Sequence, residues 1–249
     1  PNTARHSFTV AGPKPRKGSA VELYVGGNTL EPKLGSEIDY GNGTGAAQTR
    51  FDAPVVFVGY GIDAPEENWN DYEGVDVKGK LLIMLVNGPA PTAAEPARFG
   101  GASMTWYGRW TYKFEEAQRK GAAGVLLIHT NESATYPWSV AASGYQREGF
   151  RLAAAKGNPV QGWIQEEVAR ALFAAAGKNL DTLRAQAEVR GFKPVDLGMR
   201  ARVSVDSAIR DIEQFNVAGM LPGPHPAPNN QAVLYPAPGD PPGRPAGAR

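Results

Sequence analysis

The stretch VVFVGYGIDAPEENWNDYEGVDVKGKLLIMLV, residues 55–86, contains two short apolar runs separated by an acidic, Gly- and Pro-bearing connection. Val55–Val58 and Leu81–Val86 are too short for ordinary helices, are rich in β-branched or bulky aliphatic residues, and show no polar alternation. That pattern predicts strands buried on both faces. A third such run follows at Val125–Ile128. Together the three runs predict a mixed sheet.

Working outward, Val21, Leu23 and Val25 alternate with polar residues and meet Gly26, Gly27 and Asn28, which predicts a hairpin over residues 20–34. Residues 35–50 read as a Gly-rich polar connection. A helix is predicted from Thr111 to Lys120, with Trp110, Phe114 and Ala117 on its inner face and Gly121 as its stop. A second is predicted with Ile164, Val168 and Leu172 as its apolar stripe, Glu166 and Glu167 in its first turn and Gly177 beyond its end. A third starts after Asn179, whose side chain suits a cap, and turns Leu180, Leu183 and Ala187 inward. From Val195 to Val205 apolar and polar residues alternate strictly, the pattern of a strand with one wet face. Further strands are expected at Phe215–Leu221 and Ala232–Tyr235. Residues 222–249 hold nine of the 21 prolines, which argues against a helix or central strand beyond Tyr235.

The chain has 249 residues, no cysteine, and 26 basic against 25 acidic residues for a net charge of +1. Disulfides and thiolate chemistry are thereby excluded. No basic run suited to a phosphate backbone is present, so nucleic acid is not an expected partner. No run reaches the roughly 18 to 20 apolar residues of a membrane helix, so no membrane span is expected. The first residues show no signal-peptide pattern.

Three segments carry a family resemblance. They are Val55–Val86, quoted above; MTWYGRWTYKFEEAQRKGAAGVLLIHT, Met104–Thr130, with YPW at Tyr136–Trp138; and FNVAGMLPG, Phe215–Gly223. In this order they resemble the bacterial zinc aminopeptidases of metallopeptidase family twenty-eight that carry an inserted protease-associated domain. The resemblance covers roughly residues 50–243. It implies a mixed α/β fold: a β-rich protease-associated domain with flanking helices, then the first strands of a truncated α/β zinc-peptidase domain. The implied boundaries are an N-terminal segment 1–50, the protease-associated domain 51–208, and the start of the peptidase domain 209–249. It further implies a peptide or protein substrate, zinc, two ions, in full-length relatives, and a secreted or periplasmic location.

Where such relatives read Tyr-Thr-Ala-His-Trp-Asp-His-Leu-Gly, this chain reads Tyr235, Pro236, Ala237, Pro238, Gly239, Asp240, Pro241, Pro242, Gly243. Asp240 alone matches the metal-site pattern. Pro238 stands where a histidine would bind metal and offers no lone pair. The resemblance therefore implies a chain with no cofactor of its own and no peptide hydrolysis, the remaining ligands falling beyond Arg249.

Outside that pattern, His129 reads as a strand-end residue, and His6 and His225 as solvated. Glu115 and Glu116 read as acids offsetting the positive end of the first helix. The acidic stretch with Asp63, Glu66, Glu67, Asp71, Glu73 and Asp76 lacks the alternation and central Gly of a calcium loop. Trp106, Tyr107, Trp110 and Trp138 are the candidate surface for substrate or partner, within an aromatic cluster that includes Tyr112, Phe114 and Tyr136. The competing functions are a stand-alone protease-associated module that binds peptide or protein, and, on the aromatics alone, a carbohydrate-binding domain.

Overall fold

A computed structural model describes residues 2–15, 18–153, 155, 157–221 and 233–235. The strands are β1 (Asn2–Pro15), β2 (Ala20–Val25), β3 (Asn28–Leu30), β4 (Ile38–Gly41), β5 (Gln48–Phe57), β6 (Asp63–Ala64), β7 (Trp69–Asn70), β8 (Leu81–Leu85), β9 (Gly124–His129), β10 (Arg151–Leu152), β11 (Val160–Gln165) and β12 (Val195–Met220). The helices are α1 (Trp110–Arg119), α2 (Asn131–Ala134), α3 (Trp138–Ala141), α4 (Glu166–Ala175) and α5 (Leu180–Ala187). Among the described residues, ten strands form one mixed sheet in the order β10-β1-β12-β5-β8-β9-β11-β4, with β2 and β3 added alongside β12. β6 and β7 make a separate small ribbon.

The predicted apolar runs lie at the centre of this sheet. β5, β8, β9 and β11 are mutually parallel neighbours, with β8 paired residue for residue to β9 from Leu81↔Gly124 to Leu85↔Ile128. Successive side chains of a strand point to opposite faces, so both faces must find apolar cover. One face sends Val55, Phe57, Leu81, Ile83, Leu126 and Ile128 into a core shared with Leu172 and Phe173 of α4 and Leu180 and Leu183 of α5. The other sends Val56, Val58, Leu82, Met84, Val125 and Leu127 into a core with Phe114 and Ala117 of α1. Phe173 is fully buried and meets Phe57 edge-to-face at 5.3 Å. Burial of one such ring is worth about 1.5–3 kcal/mol.

The hairpin expected over 20–34 forms over residues 20–30, Gly26 and Gly27 both turning at positive φ. α5 begins at the expected cap, where Asn179 accepts a hydrogen bond from the Thr182 backbone N–H at 2.9 Å. The alternating strand is β12. It pairs with β2 and β5, and Leu197, Met199, Ala201, Val203 and Val205 are buried. Its register against β5 shifts between Asp196 and Arg200, where Gly198 has φ 63°. A non-glycine residue would be strained there.

Four expectations are corrected. Residues 35–50 contain β4, which is buried at all four positions, including Asp39. Ile164 belongs to β11, and α4 starts two residues later; its buried face is Ala169, Leu172 and Phe173, with Val168 half-buried. Six residues of β11 with little polar alternation had merged into the helical periodicity that follows them. α1 has no acid in its first turn, and Glu116 is buried against Arg119 (2.5 Å) and Lys120 (3.5 Å), so it closes an ion pair at the helix's C-terminal end. Phe215–Met220 is the far end of β12, and Val233–Tyr235 has no regular structure. Ala232 lies outside the described residues.

The chain divides into two compact units. One is Phe8–Gln214 and holds the sheet core and the helices; the other is Pro1–Ser7 with Phe215–Arg249. In the second, the Arg5 guanidinium lies 3.6 Å from the Phe215 ring centroid, a cation–π contact.

Candidate functional site

Within the unit Phe8–Gln214, an open cleft of about 350 Å³ lies beside the first turns of α1. One wall is Trp110, Thr111, Phe114, Glu115 and Gln118 of α1. The floor is Gly41 to Gly43, at the end of β4 and the start of the next turn, with Asn158 and Gln161 at the start of β11. The opposite wall is the segment Gly144–Arg151. The lining is mostly apolar and aromatic with a few polar groups, the usual character of a ligand site.

Each wall has a local cause. α1 packs Phe114 and Ala117 inward, which leaves Trp110, one turn before Phe114, at the surface with 43% of its area exposed. The two rings meet edge-on at 5.7 Å. β4 is held antiparallel to β11 from Ile38↔Ile164 to Gly41↔Gln161, and Gly43 N–H donates to the Asn158 carbonyl at 2.9 Å. Gly157 is required there, because a Cβ would overlap the Gly43 backbone. The third wall is pinned by the buried Asp39 carboxylate, which accepts from Tyr145 N–H at 2.9 Å and the Gln146 side-chain amide at 3.4 Å. Burial pushes the Asp39 carboxyl up to about 6, against those two hydrogen bonds.

Two buried asparagines border the cleft and differ sharply. Asn42 donates to the Ala46 carbonyl and Thr49 hydroxyl, and its Oδ1 accepts from the Thr44 N–H and hydroxyl. Every polar atom of its amide is used. Asn158, 1% exposed, donates to the Phe114 carbonyl at 2.8 Å and to Gln161 Oε1 at 3.4 Å, while its Oδ1 has no donor among the described residues. Exchanging its amide atoms would set oxygen against the Phe114 carbonyl, so the hydrogen bond fixes the orientation.

The candidate aromatics separate into three places. Trp110 lines the cleft. Tyr107 packs edge-to-face on Tyr112 at 5.0 Å and on Phe99 at 5.9 Å, its hydroxyl donating to Glu66. Trp138 sits with Tyr136 and Trp163 around His129, and donates to the Gly35 carbonyl at 3.0 Å. Trp106 is 52% exposed in the short 3-10 turn Trp106–Gly108 and does not border the cleft. Asn158, Gln161 and the 144–151 segment escaped sequence reasoning, because nothing in their spacing marks them; only β11 and β4 bring them opposite α1.

His129 ends β9 with its Nε2 3.1 Å from the Tyr136 carbonyl, and burial holds its pKa below the usual imidazole range. The acids of the 63–76 stretch go to separate partners: Asp63 to Lys120, Glu66 to Tyr107, Glu73 to Lys193, and Asp71 to Ile62 N–H and Trp69 Nε1. Among the described residues no three metal-ligating side chains come together. Asp240 and His225 lie outside those residues. No described helix is long and apolar enough to cross a membrane.

No family model matches the sequence, and no curated protein matches it. Among solved structures, the aminopeptidase from Aneurinibacillus sp. strain AM-1 is similar, with a TM-score of 0.41 and 15% identity over 87% of this chain and 37% of that one. The chain thus spans little more than a third of that protein's length.

Proposed function

We propose that the chain is the front portion of a metalloaminopeptidase, in which a protease-associated module shapes the access of peptides to a catalytic domain. The observation that carries this reading is the open cleft with Trp110, Phe114, Tyr145 and Phe150 in its lining, a surface fitted to apolar side chains of an extended peptide. The ordered likeness of Val55–Val86, Met104–Thr130 and Phe215–Gly223 to the family supplies the catalytic context. Zinc, a secreted or periplasmic location and a metal role for Asp240 belong to the same proposal. The described residues do not form a zinc site, and no step of metal chemistry is assigned to them.

The test is the DNA sequence of the source genome through and beyond codon 249. A histidine codon at 238, followed by a continuing frame with further acidic and histidine ligands, supports the peptidase. A clean proline codon at 238 followed by a stop refutes it for this molecule.

One observation favours a second reading, a stand-alone peptide-binding module: the cleft is built wholly from residues between Pro13 and Ser207, inside one compact unit. Soluble expression of residues 8–214 with retained peptide binding supports it, and loss of binding in that piece counts against it.

A further inference from the structure

Apolar lining accounts for neither of two polar features of the cleft. The first is Asn158, whose fully buried Oδ1 has no donor among the described residues although the rest of its amide is engaged. An amide oxygen left so is costly, and a site bordered by it is completed by an incoming N–H or O–H. The second is a pair of arginines on the opposite wall. Arg147 and Arg151 both line the cleft, and neither has a carboxylate within ion-pair reach among the described residues.

An exposed arginine such as Arg147 is ordinarily solvated. Arg151 differs, since partial burial without a counter-ion lowers its pKa. The neighbouring acids are committed elsewhere: Glu115, on the α1 wall, faces Arg119 at 3.8 Å, and Glu148 pairs with Arg210. The cleft therefore offers cationic donors on one side and aromatic surface beside them, with the buried Asn158 amide at the floor. A planar guanidinium is matched to a carboxylate, which it holds by two parallel hydrogen bonds.

We propose that the cleft binds a peptide, or an N-acylated amino acid, through its free carboxylate. Arg151 receives the carboxylate with Arg147 beside it, Asn158 borders the amide that precedes it, and Trp110 and Phe114 take an apolar side chain. This rests on the reading of the cleft as a peptide-binding surface and names the class of peptide.

The experiment is calorimetric titration of the full chain with N-acetyl-leucyl-phenylalanine and with its C-terminal amide. The acid is expected to bind at least about tenfold more tightly than the amide, the size of one charge-assisted hydrogen bond to a carboxylate. Arg151→Gln is expected to abolish that preference, with cooperative thermal unfolding followed by circular dichroism showing that the variant is folded. Equal binding of acid and amide by the wild type overturns the carboxylate assignment and leaves the peptide-binding reading standing. A preference that survives in Arg151→Gln removes Arg151 from the site. Binding of neither ligand at millimolar concentration overturns both this inference and the peptide reading of the cleft.

Discussion

Lys113 Nζ and Asn158 Oδ1 are both fully buried and both lack a hydrogen-bond partner among the described residues, yet their surroundings are opposite. Lys113 is sealed on the inner side of α1, with the Tyr60 and Tyr112 rings each 5.8 Å from Nζ and the Asp71 carboxylate as its counter-charge. Asn158 borders an open cleft. A buried amine can relieve its situation by giving up a proton, and desolvation does lower the Lys113 pKa to about 7 against the pull of Asp71. A carboxamide has no such exit in the physiological range. Its missing donor is a bound water or a group that reaches the floor of the cleft, so the same defect is internal to the fold at Lys113 and lies against the cleft at Asn158.

The sealed region is the one whose disruption costs most. Asp71 accepts from Ile62 N–H at 2.9 Å and Trp69 Nε1 at 2.7 Å, and faces Lys113. Asp71→Ala orphans two buried donors and strips the lysine of its partner, so a loss of about 3–5 kcal/mol in urea unfolding is expected. A loss under about 1 kcal/mol would mean that the cluster is hydrated and that the comparison with the cleft fails.

The second test uses pH. The folded-state pKa of Lys113 is about 7 against 10.5 when unfolded, so between those values the unfolded chain binds more protons and stability rises with pH. Asp71, raised by burial to about 6 from 3.8, works the other way: below pH 6 the folded chain holds the extra proton, and stability falls as pH rises through that window. A shallow minimum near pH 6–7 is expected. Stability should rise from neutral pH towards about pH 9.5, and Lys113→Met should flatten that rise. A rise that persists in Lys113→Met would assign the effect to another group.

At the cleft the signs reverse, with binding sensitive and folding tolerant. Trp110 is 43% exposed and touches the core through Phe114. Trp110→Ala should cost less than about 1 kcal/mol of stability. It should still weaken N-acetyl-leucyl-phenylalanine by about fivefold or more, as loss of an aromatic contact does. Cooperative unfolding followed by circular dichroism and calorimetry of the same sample separate the two effects.

The centre of the fold was readable because its physics is local. Val55–Val58, Leu81–Val86 and Val125–Ile128 are apolar at every position, and only a strand covered on both faces suits such runs. The Asn179 cap and the alternation of 195–205 are equally local signals. β4 was hidden because Asp39 and Gly41 dilute a four-residue strand, and its burial depends on β11, more than 100 residues away in the chain. The cleft shared that fate. Trp110 announced itself by residue type, whereas Asn158 matters only because the Phe114 carbonyl and Gln161 take its N–H donors and leave its oxygen bare. Glu116 misled in the same way: its place in the chain suggested a helix dipole, and only the fold shows Arg119 and Lys120 closing over it.

The smallest expected effect completes the contrast. Trp106 and Tyr107 are consecutive, aromatic and indistinguishable by sequence, but Tyr107 joins the Phe99 and Tyr112 rings while Trp106 is 52% exposed and away from the cleft. Trp106→Ala should therefore change stability by no more than about 0.5 kcal/mol, and Tyr107→Ala by about 1–3 kcal/mol. Neither should alter the preference for acid over amide. If Trp106→Ala instead leaves folding intact and lowers peptide affinity, the ligand extends past the α1 wall, and the binding surface includes the 3-10 turn as well as the cleft.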